Sequence, residues 1–382
     1  MTLYSKYTNS GKSRAAIAAL ALLCTTIPAR TQDGNQNPIH QFDNLVVVAN
    51  RYEMKLDQVG STVEIIDRNK LEQLNQPLLL EAIRTVPGFY IRNTGGPGGA
   101  FGITTRGLNS NRPTFLIDGI EVANPATGLS INPGNLVSSN VSRIEILKGP
   151  QSALYGADAL AGIISINTDD ARSTPSNTIS ASYGSRNTAT ASLGMNGNSE
   201  RLSWSLNLNR HSTDGYSAQN PEYGPEWADE DAYENTVVSA KFNYTLSESS
   251  EFFFFAYYLD SYAEFDPGTP SPWSTPILDN FSEDEQTFAK IGGNFNHTDI
   301  WSSQLSFGYT DVNSFQHSSW PLTNNGDTYQ LDWKNDFRAT NSLTFVAGAE
   351  YDIEDYRSGD GDRDNASLFV ESILAPSEKL DL

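Results

Sequence analysis

Few residues of this chain belong to the types that perform catalysis. The four histidines, His40, His211, His297 and His317, stand far apart, and no Ser/His/Asp or metal-hydrolase spacing surrounds them. The single cysteine, Cys24, lies near the N-terminus, so the rest of the chain has neither a thiol nor a disulfide to offer. We therefore predict that the protein is not an enzyme.

Acidic residues are the other candidates for chemistry, because the chain carries 46 Asp and Glu against 25 Lys and Arg, a formal net charge of -21. This balance argues against nucleic acid as a partner, which would require a basic patch. Asp229, Glu230 and Asp231 form one acidic run, and Asp279 is a second loop acid. Such residues are compatible with the binding of a cation, or with acidic loops that simply face water.

The elements that would hold these acidic loops are short alternating segments. In 201–209, apolar Leu202, Trp204, Leu206 and Leu208 alternate with Ser and Asn. A period of two predicts strands with one apolar and one polar face. We predict ten such strands, of which 251–260 and 364–371 fit the pattern less well: 178–184, 188–196, 201–209, 237–247, 251–260, 286–296, 301–310, 327–338, 342–353 and 364–371.

The connections between these strands alternate in length. Strands of about 10 residues, with short turns at one end and long loops at the other, are typical of a transmembrane β-barrel. Because ten strands would leave two open edges in lipid, we expect the barrel to be incomplete. The short connections are 197–200, 247–250, 297–300 and 339–341, and the longer ones are 210–236, 261–285, 311–326 and 354–363.

The first 29 residues have the features of a cleaved secretory signal peptide. Basic residues precede an apolar stretch at 15–26, and Ala29 ends a small-residue cleavage site. The apolar stretch is shorter than the roughly 20 residues that a membrane-spanning helix needs. We therefore predict export of the mature chain.

A polar tether follows, and it contains an extended octet. The octet can add as a strand to the sheet of another protein, or it is the first strand of the following domain. Its residues are Asp43, Asn44, Leu45, Val46, Val47, Val48, Ala49 and Asn50.

Between the tether and the barrel, the sequence predicts a small α+β domain. Asp67 can cap a helix at 68–75, and a second helix is predicted at 77–84. The loop 93–102 holds too many glycines for a regular element. Strands are predicted at 63–66, 89–91, 103–107 and 114–117, and 141–168 predicts a strand, a turn of small residues and a second strand.

The string VSRIEILKGPQSALYGADALAGIISINT at 141–168 resembles the end of the plug domain of TonB-dependent outer-membrane receptors. Arg106-Gly107 and Ile117-Asp118-Gly119 resemble two further plug signatures, and Arg106 would then pair with a carboxylate in the core. Placed ahead of these strings, the octet resembles a TonB box. The fold implied is an α+β plug domain followed by an antiparallel transmembrane β-barrel, of which this chain supplies about ten of about 22 strands.

The resemblance also implies an organisation, a location and partners. The signal peptide would occupy 1–29, a periplasmic tether with the TonB box 30–51, the plug 52–172, and the N-terminal part of the barrel 173–382. The TonB protein, with its inner-membrane energising complex, would pull the box. The barrel would lie among the lipids of the outer membrane of a Gram-negative bacterium.

Within this family, the chain is most similar to the cobalamin transporters. That similarity implies TonB-dependent import of cobalamin, with calcium at Asp229, Asp231 and Asp279 ordering two long loops. An acid of that branch is replaced here by Ser217. The positions implied to face the ligand are Ala100, Gly102, Asn109, Thr127, Gly128 and Ala263.

Two other functions stay open. The first is a receptor for a ferric siderophore, because several ligand-facing positions differ in type from the cobalamin branch. The second is a surface module for binding or adhesion that transports nothing. A TonB box together with a plug favours import, since a passive pore needs neither.

Overall fold

The structure, a computed structural model, describes residues 45–46, 54–56, 59, 61–105, 108–109, 113–130, 132–149, 151, 155, 159, 161–168, 175–219, 230–266, 279–340, 342–359 and 361–374. The predicted signal peptide, most of the tether and Arg106 lie outside these residues. Of the octet, only Leu45 and Val46 are described. They form β1 (Leu45–Val46), which pairs antiparallel with β2 (Met54–Lys55). Asp43, Asn44, Val47, Val48, Ala49 and Asn50 lie outside the described residues.

A five-stranded sheet forms the centre of the domain at 61–168, which we call the plug. Its strands lie in the order β3–β11–β12–β7–β8, and only β12 and β7 run parallel. The predicted strands around 149–161 are confirmed as an antiparallel pair, with Lys148 opposite Gly162. The strands are β3 (Thr62–Asp67), β7 (Thr114–Ile117), β8 (Ile120–Glu121), β11 (Val141–Lys148) and β12 (Gly162–Thr168).

Glycine permits the closest backbone approach in this sheet. Gly162 has φ of +115°, and a Cβ atom there would collide with the carbonyl oxygen of Leu147. Gly162 therefore allows the close contact between backbones that the small residues of this region predict.

Two short helices pack beside the plug sheet. Helix α1 (Arg68–Leu74) begins as predicted, because the Asp67 side chain accepts a hydrogen bond from the Lys70 backbone N–H at 2.8 Å. Burial lowers the pKa of Arg68, and the nearby Glu72 carboxylate opposes that shift. Helix α2 (Leu79–Arg84) begins two residues later than predicted, and Leu79, Leu80, Ala82 and Ile83 are all buried.

The prediction for the glycine-rich loop 93–102 was wrong in part. Strand β4 (Phe89–Thr94) and strand β5 (Ala100–Thr105) enter it from both sides and pair as a hairpin, with β6 (Leu108–Asn109) added to β5. The glycines concentrate in the turn at 95–99, where Gly95 and Gly98 have positive φ. Four of the five glycines of 93–102 therefore lie in the turn, and the fifth, Gly102, lies within β5.

The second unit of the fold is a ten-stranded antiparallel sheet, which we call the wall. Each strand pairs with the next strand along the chain, as the alternating segments predict. The strands are β13 (Ser176–Tyr183), β14 (Ala189–Asn198), β15 (Leu202–Thr213), β16 (Tyr233–Ser247), β17 (Ser250–Glu264), β18 (Phe281–Thr298), β19 (Trp301–His317), β20 (Leu322–Thr340), β21 (Leu343–Asp355) and β22 (Asp362–Leu374).

The two faces of the wall differ as the sequence predicts. On β16, Val238, Tyr244 and Leu246 are exposed, whereas Asn235 and Ser239 on the opposite face are buried against the plug. The outward face is apolar along β20 as well, with Tyr329, Leu331, Trp333 and Phe337 exposed. An apolar outward band over a polar interior is the pattern of a transmembrane barrel wall.

The predicted lengths of strands and loops were partly wrong. The turns at 199–201, 248–249 and 299–300 are short as predicted, but the expected long loop at 311–326 shrinks to 318–321. Strands of up to 19 residues continue beyond the apolar band, because ladder hydrogen bonds do not require alternating side chains. We call the end that carries the two long connections, 214–232 and 265–280, the long-loop end.

No helix within the described ranges is long and apolar enough to cross a membrane.

Candidate functional site

The plug packs directly against the inner face of the wall. One buried apolar cluster includes plug residues such as Leu79, Ile103 and Phe115 together with residues of four wall strands. Burying this area from both sides makes the plug and the wall one packed unit. The wall residues in the cluster are Tyr233, Val237, Phe255, Tyr257, Leu259, Ala263, Phe288 and Val312.

A charged contact holds the middle of the plug to the wall. The Asp118-Gly119 turn joins β7 to β8 as a two-residue hairpin in which both residues have positive φ. Lys241 of β16 places its Nζ 2.8 Å from Asp118 Oδ1, and Lys290 of β18 donates to the Gly119 carbonyl oxygen at 3.1 Å. Thr168 also donates to the Asp118 carboxylate from its backbone N–H and its hydroxyl. The turn is therefore fixed by two wall lysines and one plug threonine.

A second polar contact lies nearer the long-loop end, around the buried Asn135. Its Nδ2 donates to Asp284 Oδ2 at 3.1 Å, and its Oδ1 accepts from the Tyr233 hydroxyl at 3.2 Å. Its carbonyl oxygen accepts from Asn235 Nδ2 at 2.8 Å. Each of these polar groups would be costly to bury without a hydrogen-bond partner. Their mutual hydrogen bonds therefore fix the position of the plug along the wall strands.

The glycine turn at 95–99 packs against the wall at the long-loop end. Gly98 has φ of +73°, and a Cβ atom there would lie 2.9 Å from the Ala263 Cβ and would also collide with the Tyr233 ring. Ala263, one of the residues predicted to face the ligand, is thus buried beneath this turn. Ala100 and Gly102 lie on β5, just after the turn. Asn109 lies on β6 and pairs with Thr104 of β5.

Thr127 and Gly128 belong to a separate exposed turn between β9 (Ala123–Asn124) and β10 (Leu129–Ser130). Asn124 fixes this turn, because its carbonyl oxygen accepts from the Gly128 N–H at 2.9 Å and its Nδ2 donates to the carbonyl oxygen of Asn324 at 3.1 Å. The predicted ligand positions therefore fall into two regions. One is the β4–β5–β6 sheet together with Ala263, which lies on β17 beneath the turn of that sheet, and the other is the turn that adjoins β20.

The predicted calcium ligands are only partly described. Asp231 is buried just before β16, Asp279 is exposed just before β18, and Asp229 lies outside the described residues. Within the described part of the chain, no group of three or more His, Cys, Asp or Glu side chains is placed to hold a metal ion. The described residues thus do not by themselves form a calcium site.

Sequence reasoning missed the contacts between plug and wall. Lys241 carried a usable signal, since it is the one cation on the polar face of its strand in a strongly acidic chain. Asn135 and Tyr233 carried none, because an amide in a loop and an aromatic at a strand end are common in any barrel.

Comparison with known proteins agrees with this geometry. The family model of the TonB-dependent receptor plug domain matches residues 55–163. The vitamin B12 transporter BtuB of Vibrio vulnificus strain CMCP6 is 27% identical over 351 residues, which are 89% of this chain and 54% of that protein. BtuB of Photobacterium profundum is 24% identical over 374 residues, 94% of this chain and 58% of that protein. The chain spans little more than half the length of these curated relatives.

Solved structures share the fold at low identity. The siderophore receptor PiuA from Acinetobacter baumannii has a TM-score of 0.62 at 18% identity, over 79% of this chain and 46% of that one. The pyoverdine receptor FpvA from Pseudomonas aeruginosa PAO1 has a TM-score of 0.68 at 13% identity, over 86% of this chain and 56% of that one.

A plug domain seated against a polar-inside, apolar-outside wall defines a TonB-dependent receptor, and this chain belongs to that class. Among such receptors it stands near the vitamin B12 transporters. These receptors are outer-membrane proteins of Gram-negative bacteria, and this is where the chain resides. They are transporters rather than enzymes, in agreement with the scarcity of catalytic residue types.

Proposed function

We propose that the protein imports a large, scarce solute across the outer membrane, that the solute is cobalamin, and that the TonB protein supplies the energy. The observation that carries this proposal is the plug itself, which is fixed to the wall by buried apolar contacts and by the Lys241–Asp118 pair. A solute can pass only if those contacts open, and opening them requires work from an outside source. A passive pore or an adhesion module has no use for such an arrangement.

The connection to TonB is proposed through the octet 43–50. Its described residues, Leu45 and Val46, are already extended and pair with β2. A segment that can take part in one two-stranded ladder can also add to the sheet edge of a partner. The inner-membrane energising complex would then act on the plug through this segment.

Cobalamin is proposed as the solute because the curated relatives that cover most of the chain are vitamin B12 transporters. The solute would contact the plug near Ala100, Gly102 and Asn109, the turn at Thr127 and Gly128, and the wall near Ala263. A ferric siderophore is the second candidate, since PiuA is a siderophore receptor and FpvA binds pyoverdine, but their low identity supports only the shared fold.

Calcium at Asp229, Asp231 and Asp279 remains a separate proposal. These acids flank the two long connections, and a bound cation would relieve the repulsion between them. Ordering the loops in advance would remove part of the entropic cost of binding a solute.

The test is uptake by cells that lack their own cobalamin receptor and express the protein from its own gene. We expect labelled cobalamin to enter cells that contain TonB and to bind only at the surface of cells without it. Uptake of a ferric siderophore with no cobalamin binding would transfer the proposal to the second candidate. Equal entry with and without TonB would refute active import.

A further inference from the structure

The two long connections are joined by one carboxylate. Asp266, the second residue after β17, accepts a hydrogen bond from the Ser217 hydroxyl at 2.9 Å through Oδ1. Its Oδ2 accepts from the backbone N–H of Ala218 at 2.6 Å. Both oxygens of one side chain thus hold the start of the other connection. Hydrogen bonds to an ionised acceptor are stronger than those between neutral groups.

The segment 214–219 is fixed on its other sides as well. The Asp214 N–H donates to the Arg186 carbonyl oxygen at 2.9 Å, and the Gly215 N–H donates to Thr213 Oγ1 at 3.1 Å. The Arg186 guanidinium lies 4.8 Å from the centre of the Tyr216 ring. These contacts belong to the wall and leave the segment little freedom once Asp266 holds its far end.

The same segment reaches the plug. The Tyr216 hydroxyl lies 3.5 Å from the carbonyl oxygen of Gly95, in the turn at 95–99. Segment 214–219 therefore contacts three other parts of the molecule. These are the plug turn at 95–99, the turn that contains Arg186, and the start of the second long connection. A residue that orders this segment also defines the surface offered at the long-loop end.

We propose that Asp266 is a positioning residue that holds segment 214–219 against the start of the second long connection by hydrogen bonds, with no cation at this contact. The Ser217 hydroxyl both donates to Asp266 and accepts from the Gln219 N–H at 3.1 Å. A hydroxyl and a carboxylate are complementary as donor and acceptor, whereas two carboxylates at these positions would repel and would need a cation between them. A role of segment 214–219 in holding a solute rests on the proposed function. The ordering of the segment by Asp266 does not depend on that function.

The ordering is tested by amide hydrogen exchange of peptides covering 214–219, in the complete protein in detergent, with a chelator and without any solute. We expect Asp266→Ala to accelerate exchange at Ala218 and Gln219 by about 10- to 100-fold, the effect of losing hydrogen bonds to a charged group. Asp266→Asn keeps one carbonyl acceptor and should give an intermediate rate. Asp299→Ala removes an exposed carboxylate from the opposite end of the wall and should change nothing in this segment.

Two outcomes would overturn the proposal. One is unchanged exchange in Asp266→Ala, and the other is a native segment that is protected only when calcium is added. If Asp266→Ala does not fold, Ser217→Ala serves instead, because it removes only the hydroxyl and should give a partial loss of protection. No solute is present, so an error in the proposed function cannot produce either result. Faster cobalamin release from Asp266→Ala, restored in part by Asp266→Asn, would then connect the ordering to binding.

Discussion

Replacing Lys241 with methionine should loosen the plug from the wall, because the substitution leaves a buried carboxylate without its cation. Lys241 and Asp118 are 2.8 Å apart, with side chains 22% and 8% exposed. Methionine retains much of the apolar stem of lysine, so packing changes little and the loss of charge dominates. Asp118 keeps the two donors from Thr168.

The size of the effect follows from that environment. Removing one partner of a buried ion pair costs about 3–5 kcal/mol. Water reaches part of Lys241, and the Thr168 donors remain. We therefore expect Lys241→Met to lower the free energy of opening the turn by about 2–3 kcal/mol. That corresponds to local opening that is about 30- to 150-fold more frequent. Lys290→Met is the control. At the turn it removes only a donor to the neutral Gly119 carbonyl, which costs about 0.5–1.5 kcal/mol to leave. Lys290 also pairs with the Asp332 carboxylate at 3.8 Å, but Asp332 lies on β20, outside the peptides that report on the turn.

The assay is hydrogen exchange of peptides that cover 114–121 in the folded protein. We expect exchange to rise strongly in Lys241→Met and weakly in Lys290→Met. Asp118→Asn should cost less than Lys241→Met, because asparagine accepts the positive φ of +46° and the lysine left behind has some access to water. If the two lysine variants exchange at the same rate, charge does not hold this turn and the reasoning fails.

Three further predictions concern other parts of the chain. Val46→Pro removes a ladder donor from the octet, so uptake should collapse while ligand binding at the cell surface survives, and normal uptake would count against a TonB box at 43–50. Gly98→Ala should destabilise the plug in urea unfolding by more than Gly128→Ala, since both have positive φ but only Gly98 faces the Tyr233 ring and Gly128 faces open space. Asp231→Asn should reduce any gain in cobalamin affinity that calcium gives in calorimetry, and identical native affinities with calcium and with chelator would remove the calcium proposal.

The elements of this fold were largely predictable because their signals are local. Alternation located eight of the ten wall strands, and the segments 251–260 and 364–371, which fit the pattern less well, are strands too. Asp67 marked the start of α1. Strand ends were less predictable. Beyond the apolar band, outward positions such as Glu234 and Asn313 are polar, and the inward neighbours include the apolar Val312, so the apolar-out, polar-in period disappears while the backbone ladder continues. The expected loop at 311–326 was overestimated for this reason.

The site was much less predictable, because its contacts join residues that are distant in sequence. Asp118 and Lys241 are separated by 123 positions. Alternation shows that Lys241 faces inward, but the plug residue that it contacts depends on the position of the plug along the wall strands. Packing around Asn135 and Gly98 sets that position, and no local sequence pattern predicts this packing. The hydrogen bond between Ser217 and Asp266 was not predicted either, because these residues are also distant in sequence.

The cost of separating plug and wall is uneven around the sheet. Along β16 to β19, separation would expose buried apolar side chains such as Val237, Phe255 and Phe288 to water. Along β20, the inward residues that include Asp332 and Lys334 are charged and half-buried, so water could replace their neighbours at lower cost. Work applied to the plug is therefore expected to open a path first beside β20. The exposed turn that carries Thr127 and Gly128 lies at the entrance to that side.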